Sequence, residues 1–297
     1  MKKIKFSGFA LLCFAIISQA AYCQNEEKVN QISDFPLTEF SNYYSKPIKE
    51  SLNSKLVNDT FTIFKSLPIG YSKDSTKQYP LIIILDANAF FESVISELKF
   101  NTFIGLIPKS IIIGIGYKDF MTMDSLRSRD YTFPKAIPEY EMSISGGAEK
   151  FKRFIDEELI PKLMKENRIN IDKSVLCGHS LAGYFTSYYA LKSAQENRFY
   201  LKNIVSASPS LHYNHKYLVN MAKELKSDKM PMKMYISMGS EDMNDDESKG
   251  ILDQFANQLL NKNYKDLNLK KAEYTNFGHI DAALPGFIKG LAYIFEK

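Results

Sequence analysis

The sequence predicts a mixed α/β protein with a mainly parallel central sheet that is covered by helices on both faces. Continuous apolar runs suit strands that are buried on both sides, and segments with helical spacing of apolar residues lie between them. No internal repeat, low-complexity tract or linker rich in Pro, Gly and Ser divides the chain. We therefore predict one domain that runs from about residue 35 to residue 297.

Strands and helices alternate along this domain. The clearest strand candidates are the apolar runs at 79–85 and 110–116, and the others lie at 60–67, 173–177, 203–207, 232–238 and 271–275. Apolar residues recur at helical spacing in four segments, 147–167, 181–194, 246–260 and 283–296. Because strands that alternate with helices form parallel sheets, reactive groups are expected at the carboxyl ends of the strands.

The first 23 residues have the pattern of a secretory signal peptide. Three lysines precede an apolar run at 9–17, and small residues and polar residues follow it. Because the run is too short to span a bilayer, we predict export to the periplasm or the medium with no stable membrane span. A retained anchor and a lipid-modified Cys23 are the alternatives.

Charge and cysteine content argue against a nucleic-acid-binding protein and against a fold stabilised by disulfides. The chain has 38 basic and 34 acidic residues, and loss of the three leader lysines leaves 35 against 34, a formal charge of +1. This balance does not favour nucleic acid as a partner. Cys177 is the one cysteine certain to remain after export, so no internal disulfide can form and a large core must stabilise the fold.

The segment Gly178-His-Ser-Leu-Ala-Gly183 lies between a predicted strand and a predicted helix. This is the arrangement of the nucleophile elbow in the α/β-hydrolase fold, which needs small residues two before and two after the serine. Gly178 and Ala182 occupy those positions. Ser180 is therefore the predicted nucleophile, and a serine that merely caps the helix is the alternative.

A serine nucleophile needs a histidine base that is oriented by a carboxylate. The hydrolase fold orders its triad serine, acid, histidine, and His279 is the one histidine of four that follows the last predicted strand. A structural histidine at a helix start is the alternative. Asp242 is the first choice for the acid, and its neighbour Glu241 is the alternative because one residue of loop register decides between them.

The tetrahedral oxyanion needs two backbone N–H donors. Leu181, directly after the serine, is predicted to supply the first. Asn88 is predicted to supply the second, with Ala87 as the alternative, while Asp86 is expected to brace this loop. The predicted chemistry needs no metal or organic cofactor, and its substrate would be a small-molecule or glycan-linked ester.

With these motifs placed, the chain resembles the esterase family of α/β-hydrolases that contains siderophore esterases, S-formylglutathione hydrolase, feruloyl esterases and mycolyltransferases. It is most similar to the siderophore esterase branch. The resemblance extends from about residue 51 to the C-terminus and rests on residues 79–86, 127–134, 146–161, 178–183 and 208–210.

The resemblance implies two substrate contacts. Arg129 would border the cleft and contact an anionic or polyoxygenated substrate, with a structural pair to Asp130 as the alternative. His212 stands where the family usually has the first of two aromatic residues, so it would also meet the substrate. Its spacing to His215 could suit a metal, but no third ligand is evident and we predict no metal site.

These observations together predict an exported serine carboxylic ester hydrolase that acts on siderophore lactones or on acyl or feruloyl esters. Two alternatives use the same fold. One is a binding protein without turnover, and the other is an acyltransferase that uses the same triad.

Overall fold

An eight-stranded mixed sheet forms the centre of the computed structural model, which describes residues 43–72, 75–243 and 248–296. The strands are β1 (Ile48–Ser54), β2 (Asp59–Ser66), β3 (Tyr79–Ile84), β4 (Ile111–Gly116), β5 (Ile169–His179), β6 (Asn203–Ala207), β7 (Met232–Gly239) and β8 (Leu267–Tyr274). Their spatial order is β1-β2-β4-β3-β5-β6-β7-β8. The pairs β1–β2 and β2–β4 are antiparallel, and the remaining neighbours are parallel. The predicted mixed α/β class with a mainly parallel sheet is confirmed, and the fold is that of the α/β-hydrolases.

Every residue of β3 and of β4 is buried, as the continuous apolar runs predict. Because side chains alternate along a strand, Ile83 packs into one core cluster while Ile82 and Ile84 pack into the other. The sheet therefore separates two hydrophobic cores, and apolar residues are needed at successive positions.

Helices cover both faces of the sheet. They are α1 (Ala87–Phe103), α2 (Phe120–Tyr131), α3 (Ala148–Arg153), a π-helical segment (Phe154–Leu159), α4 (Ile160–Glu166), α5 (Leu181–Glu196), α6 (Tyr213–Glu224), α7 (Ile251–Leu260) and α8 (Ala283–Phe295). Phe91 of α1 and Phe287 of α8 pack on one face, and buried residues of the other helices pack on the opposite face. Because β3 to β8 run parallel, their carboxyl ends and the loops that follow them meet at one edge.

Four elements were not predicted, namely β1, α1, α2 and α6. β1 is a mostly exposed edge strand, and its pairing with β2 determines its conformation. α2 buries only Met123, Asp130 and Tyr131, so it carries almost no apolar periodicity. α7 begins at Ile251 rather than at 246, and residues 244–247 lie outside the described residues.

The predicted signal peptide, residues 1–23, lies outside the described residues, as do the first residues of the predicted domain. Within the described ranges, no helix combines the length and the apolar character that crossing a membrane requires.

Candidate active site

Ser180 lies between the end of β5 and the first residue of α5, in a strained backbone conformation. Its φ of 60° and ψ of −123° are rare for any residue other than glycine, and such strain costs about 1–3 kcal/mol. Its N–H donates to the Ala207 carbonyl at 3.1 Å, and its own carbonyl accepts from Ser210 at 3.2 Å. These bonds to the end of β6 and the segment after it hold Ser180 at the carboxyl edge of the sheet, half-buried and open to solvent on one side.

The small residues around Ser180 are required by close backbone contacts. A Cβ on Gly178 would lie 2.3 Å from the Ala182 carbonyl oxygen. A Cβ on Gly183 would lie 2.8 Å from the Ala207 carbonyl oxygen and 3.1 Å from Cα of Pro209. The turn therefore has the dense packing that a nucleophile elbow requires.

His279 and Asp242 form a hydrogen-bonded pair on the loops after β8 and β7. Nδ1 of His279 lies 2.9 Å from Oδ2 of Asp242, and their side chains are 35% and 17% exposed. Glu241 is exposed, and it contacts the other loop through its backbone N–H, which donates to the Phe277 carbonyl at 3.0 Å. The structure therefore places Asp242, rather than Glu241, on the imidazole.

The two loops are locked together at the end of β7. A Cβ on Gly239 would lie 2.1 Å from the Phe277 carbonyl oxygen, so only glycine permits this approach. Ser240 adds two bonds, because its N–H donates to the Tyr274 carbonyl and its hydroxyl accepts from the Asn276 N–H, both at 2.9 Å. The loops after β7 and β8, which carry Asp242 and His279, are thus joined into one hydrogen-bonded unit.

The same unit lies beside the elbow. The His279 carbonyl oxygen is 2.8 Å from Nε2 of His179, the residue before Ser180, and the two imidazole rings are 4.8 Å apart. Among the hydrogen bonds of the described residues, none joins Ser180 Oγ to His279. In unliganded hydrolases this contact is often long and shortens when substrate binds.

Two helix N-termini meet at the predicted oxyanion site. α5 begins at Leu181 after β5, and α1 begins at Ala87 after the adjacent parallel strand β3. The first N–H groups of a helix have no intrahelical acceptor and lie at its positive end. The Asn88 side chain bonds both main-chain groups of Tyr117, at 2.8 and 3.1 Å, which holds the amide against Tyr117. Its backbone N–H is therefore the group considered for an oxyanion. Ala87 and Asn88 both stay candidates.

Arg129 is held by two carboxylates at some distance from the elbow. Its guanidinium donates to both oxygens of Asp130, at 2.8 and 2.9 Å, and to Asp59 at 2.7 Å. Asp59 begins β2, and β4 and β3 separate β2 from β5. The structure therefore does not bring Arg129 together with Ser180.

Arg127 lies closer to the elbow, and sequence reasoning missed it. It forms a bidentate pair with Asp86, with distances of 2.7 to 3.2 Å, and one nitrogen lies 3.5 Å from the His179 carbonyl oxygen. Residues two apart on a helix point about 200° away from each other, so Arg127 and Arg129 face opposite sides of α2. Helical spacing would place Arg127 and Arg129 on opposite faces, but no helix is predicted here from the sequence.

His212 lies on the wall of a cavity near the elbow. Ser210, whose N–H bonds the Ser180 carbonyl, is two residues before it, and the rings of His212 and Tyr140 stack with centroids 6.5 Å apart. The next residues, 214–216, have φ of 48°, 53° and 63° and form a left-handed turn. The cavity has a volume of about 420 Å³ and is lined by Ile137, Glu139, Tyr140, His212, His215 and Lys216.

The predicted histidine pair does not extend to a metal cluster. Within residues 43–72, 75–243 and 248–296, no three side chains of His, Cys, Asp or Glu are grouped so that they could hold a metal ion.

Comparisons with known proteins agree with this architecture. The family model described as "Putative esterase" matches residues 54–283. The chain is 29% identical over 244 residues to ferri-bacillibactin esterase BesA of Bacillus subtilis, covering 76% of this chain and 78% of that protein.

Solved structures give the same result. The BES protein from Bacillus cereus has a TM-score of 0.72 and 27% identity, covering 85% of this chain and 96% of that one. An IroE-like serine hydrolase from Shewanella oneidensis has a TM-score of 0.69 and 25% identity, covering 84% of this chain and 80% of that one. With the elbow, the sheet order and the family match together, the chain belongs to this esterase family of serine hydrolases with the α/β-hydrolase fold.

Proposed function

We propose that this esterase is an exported serine carboxylic ester hydrolase in which Ser180, His279 and Asp242 form the catalytic triad. The observation that carries the proposal is the juxtaposition of a strained serine elbow with a histidine whose Nδ1 lies 2.9 Å from a carboxylate. The Asp242 carboxylate accepts from Nδ1–H, which leaves the Nε2 lone pair available as a base.

The proposed reaction passes through an acyl-enzyme. Ser180 Oγ bonds to the ester carbonyl carbon while its proton moves to Nε2 of His279, and the Leu181 and Asn88 N–H groups hold the oxyanion. Collapse breaks the C–O bond, and the departing alcohol takes the proton from His279. Water then attacks the acyl carbon and gives a proton to His279. Collapse breaks the bond from the acyl carbon to Ser180 Oγ, which takes that proton from His279 as the acid leaves.

Siderophore esters are the proposed substrate class, with acyl and feruloyl esters as the alternatives. The similarity to a protein named ferri-bacillibactin esterase supports the first choice. A panel of iron-loaded and iron-free catecholate trilactones, feruloyl sugars and simple acyl esters would decide, with products identified by chromatography. If an added alcohol is acylated in preference to water, the protein is an acyltransferase rather than a hydrolase.

The triad is tested with Ser180→Ala, matched by Ser125→Ala at an exposed serine of α2. Wild type and Ser125→Ala should hydrolyse p-nitrophenyl butyrate and react with a fluorophosphonate probe, while Ser180→Ala should do neither and keep its fold by circular dichroism. Turnover that survives in Ser180→Ala would reject the nucleophile. A wild-type protein that the probe does not label would favour a binding protein without turnover.

Export is tested separately. Fractionation of cells that express the full chain should place the protein in the periplasm or medium, with an N-terminus close to residue 24. A lipid on Cys23, visible by mass spectrometry, would show the tethered alternative. Recovery of the uncleaved chain in the cytoplasm would contradict export.

A further inference from the structure

His179 is a buried titratable group that the proposed reaction does not use. It ends β5 directly before Ser180 and is only 3% exposed. Its ring contacts the edge of Phe90 from α1, with centroids 5.5 Å apart, and lies 4.8 Å from the ring of His279. The side chain thus fills the space between the elbow and the loop that carries the proposed base.

The protonation of His179 follows from its surroundings. Nε2 lies 2.8 Å from the His279 carbonyl oxygen, and a carbonyl oxygen only accepts, so Nε2 carries the hydrogen and donates. Burial lowers the pKa of His179 to about 4, so at neutral pH the ring is uncharged and keeps its one N–H on that nitrogen. The donor is therefore in place under ordinary conditions.

This hydrogen bond links the nucleophile elbow to the loop that carries His279. Among the hydrogen bonds of the described residues, it is the one that joins the elbow segment 178–183 to the loop 275–282. That loop also bonds Ser240, Glu241 and Asp242, which orient the imidazole, and its remaining hydrogen bonds run to Tyr274, within the loop and to the start of α8. Among the bonds of the described residues, none of these reaches the segment that carries the nucleophile. A one-ångström error in that distance can lower a rate about 100-fold.

We infer that His179 is a positioning residue: its Nε2–H holds the main chain of His279 so that the imidazole stays in reach of Ser180. The inference rests on the proposed function, because it assigns His279 as the base. It also gives the elbow histidine a role that acts through His279.

The test compares three substitutions that change the donor in different ways. Gln carries an amide N–H the same number of bonds from Cα as Nε2 of histidine, Asn carries one that is a bond shorter, and Leu carries none. We expect His179→Leu and His179→Asn to lower kcat for p-nitrophenyl butyrate about 10- to 100-fold with KM within about twofold. His179→Gln should recover kcat to within about threefold of wild type.

The outcomes separate this inference from the proposed function. Circular dichroism and urea unfolding confirm that each variant is folded in the assay, and if His179→Leu does not fold, the comparison of Gln with Asn decides. Equal activity of all variants, or equal losses for Gln and Asn, would overturn the positioning role while Ser180-dependent turnover still stood. Turnover that persists in Ser180→Ala would instead remove the proposed function itself.

Discussion

The contact between Gly239 and Phe277 offers the sharpest test of how the proposed acid and the proposed base are held together. In Gly239→Ala the new Cβ would lie 2.1 Å from the Phe277 carbonyl oxygen, whereas real Cβ contacts are essentially never shorter than 3.0 Å. The two loops must therefore separate by at least 3.0 − 2.1 = 0.9 Å. Because Asp242 and His279 lie on these loops, their hydrogen bond is disturbed directly.

The magnitude follows from that displacement. Forcing an extra methyl group into a packed contact typically costs about 1–3 kcal/mol of stability. A misplacement of about 1 Å in a catalytic group can lower the rate about 100-fold. We therefore expect Gly239→Ala to lower kcat for p-nitrophenyl butyrate about 100-fold, and to lower the free energy of unfolding in urea by about 1–3 kcal/mol.

Gly278, in the same contact region, is the matched control. A Cβ there would lie 3.2 Å from Oδ1 of Asp281 and 3.9 Å from Oε2 of Glu241, both at the ends of flexible side chains. Gly278→Ala should therefore keep its activity, and its stability should change by less than about 1 kcal/mol. Wild-type kcat and stability in Gly239→Ala, or equal losses in both variants, would refute this account of the two loops.

Three further expectations follow from the site. Asp242→Asn should lower kcat about 10²- to 10⁴-fold, while Glu241→Gln should keep a kcat close to that of the wild type. Steady-state kinetics measures both variants, and the reverse ranking would assign the role of the acid to Glu241. Because burial lowers the pKa of His179 from 6.5 to about 4, the unfolded chain binds more protons between these values, and the free energy of unfolding should fall by about 3 kcal/mol from pH 7 to pH 4. Urea unfolding of wild type and His179→Gln across this range measures the difference, and parallel curves would contradict it. Arg127→Met leaves buried Asp86 without its ion-pair partner and should lower the free energy of unfolding by about 3–5 kcal/mol. The double variant Arg127→Met with Asp86→Asn should lose clearly less, because no unpaired charge stays buried. Equal losses in the two variants, measured by urea unfolding, would exclude the ion pair as the cause.

Local patterns in the sequence were sufficient for the central sheet and the elbow. The strands at 79–84 and 111–116 are predictable because a strand covered on both faces needs an apolar residue at every position. The elbow is predictable because Gly178 and Ala182 meet each other directly across one turn. α1 has the same kind of local pattern, since Phe91, Val94, Ile95 and Leu98 are buried at helical spacing.

Elements without apolar periodicity depend on the tertiary structure. α2 is largely polar, so its boundaries, and with them the opposite directions of Arg127 and Arg129, could not be inferred from spacing. The left-handed turn at 214–216 is equally invisible, because non-glycine residues adopt it only when surrounding contacts hold them there. Asn214 supplies two such contacts, to the main chain of Lys135 and Ile137.

Sequence patterns alone indicate the fold class and the elbow serine, because the strand, helix and elbow signals each depend on residues that are close together in the chain. Packing in the folded chain puts Asp242 rather than Glu241 beside His279, since one residue of loop register turns a side chain to the other side. It also brought His179 onto the His279 carbonyl, a contact across 100 residues of chain. Such contacts depend on how two strand ends meet in space, which local sequence does not encode.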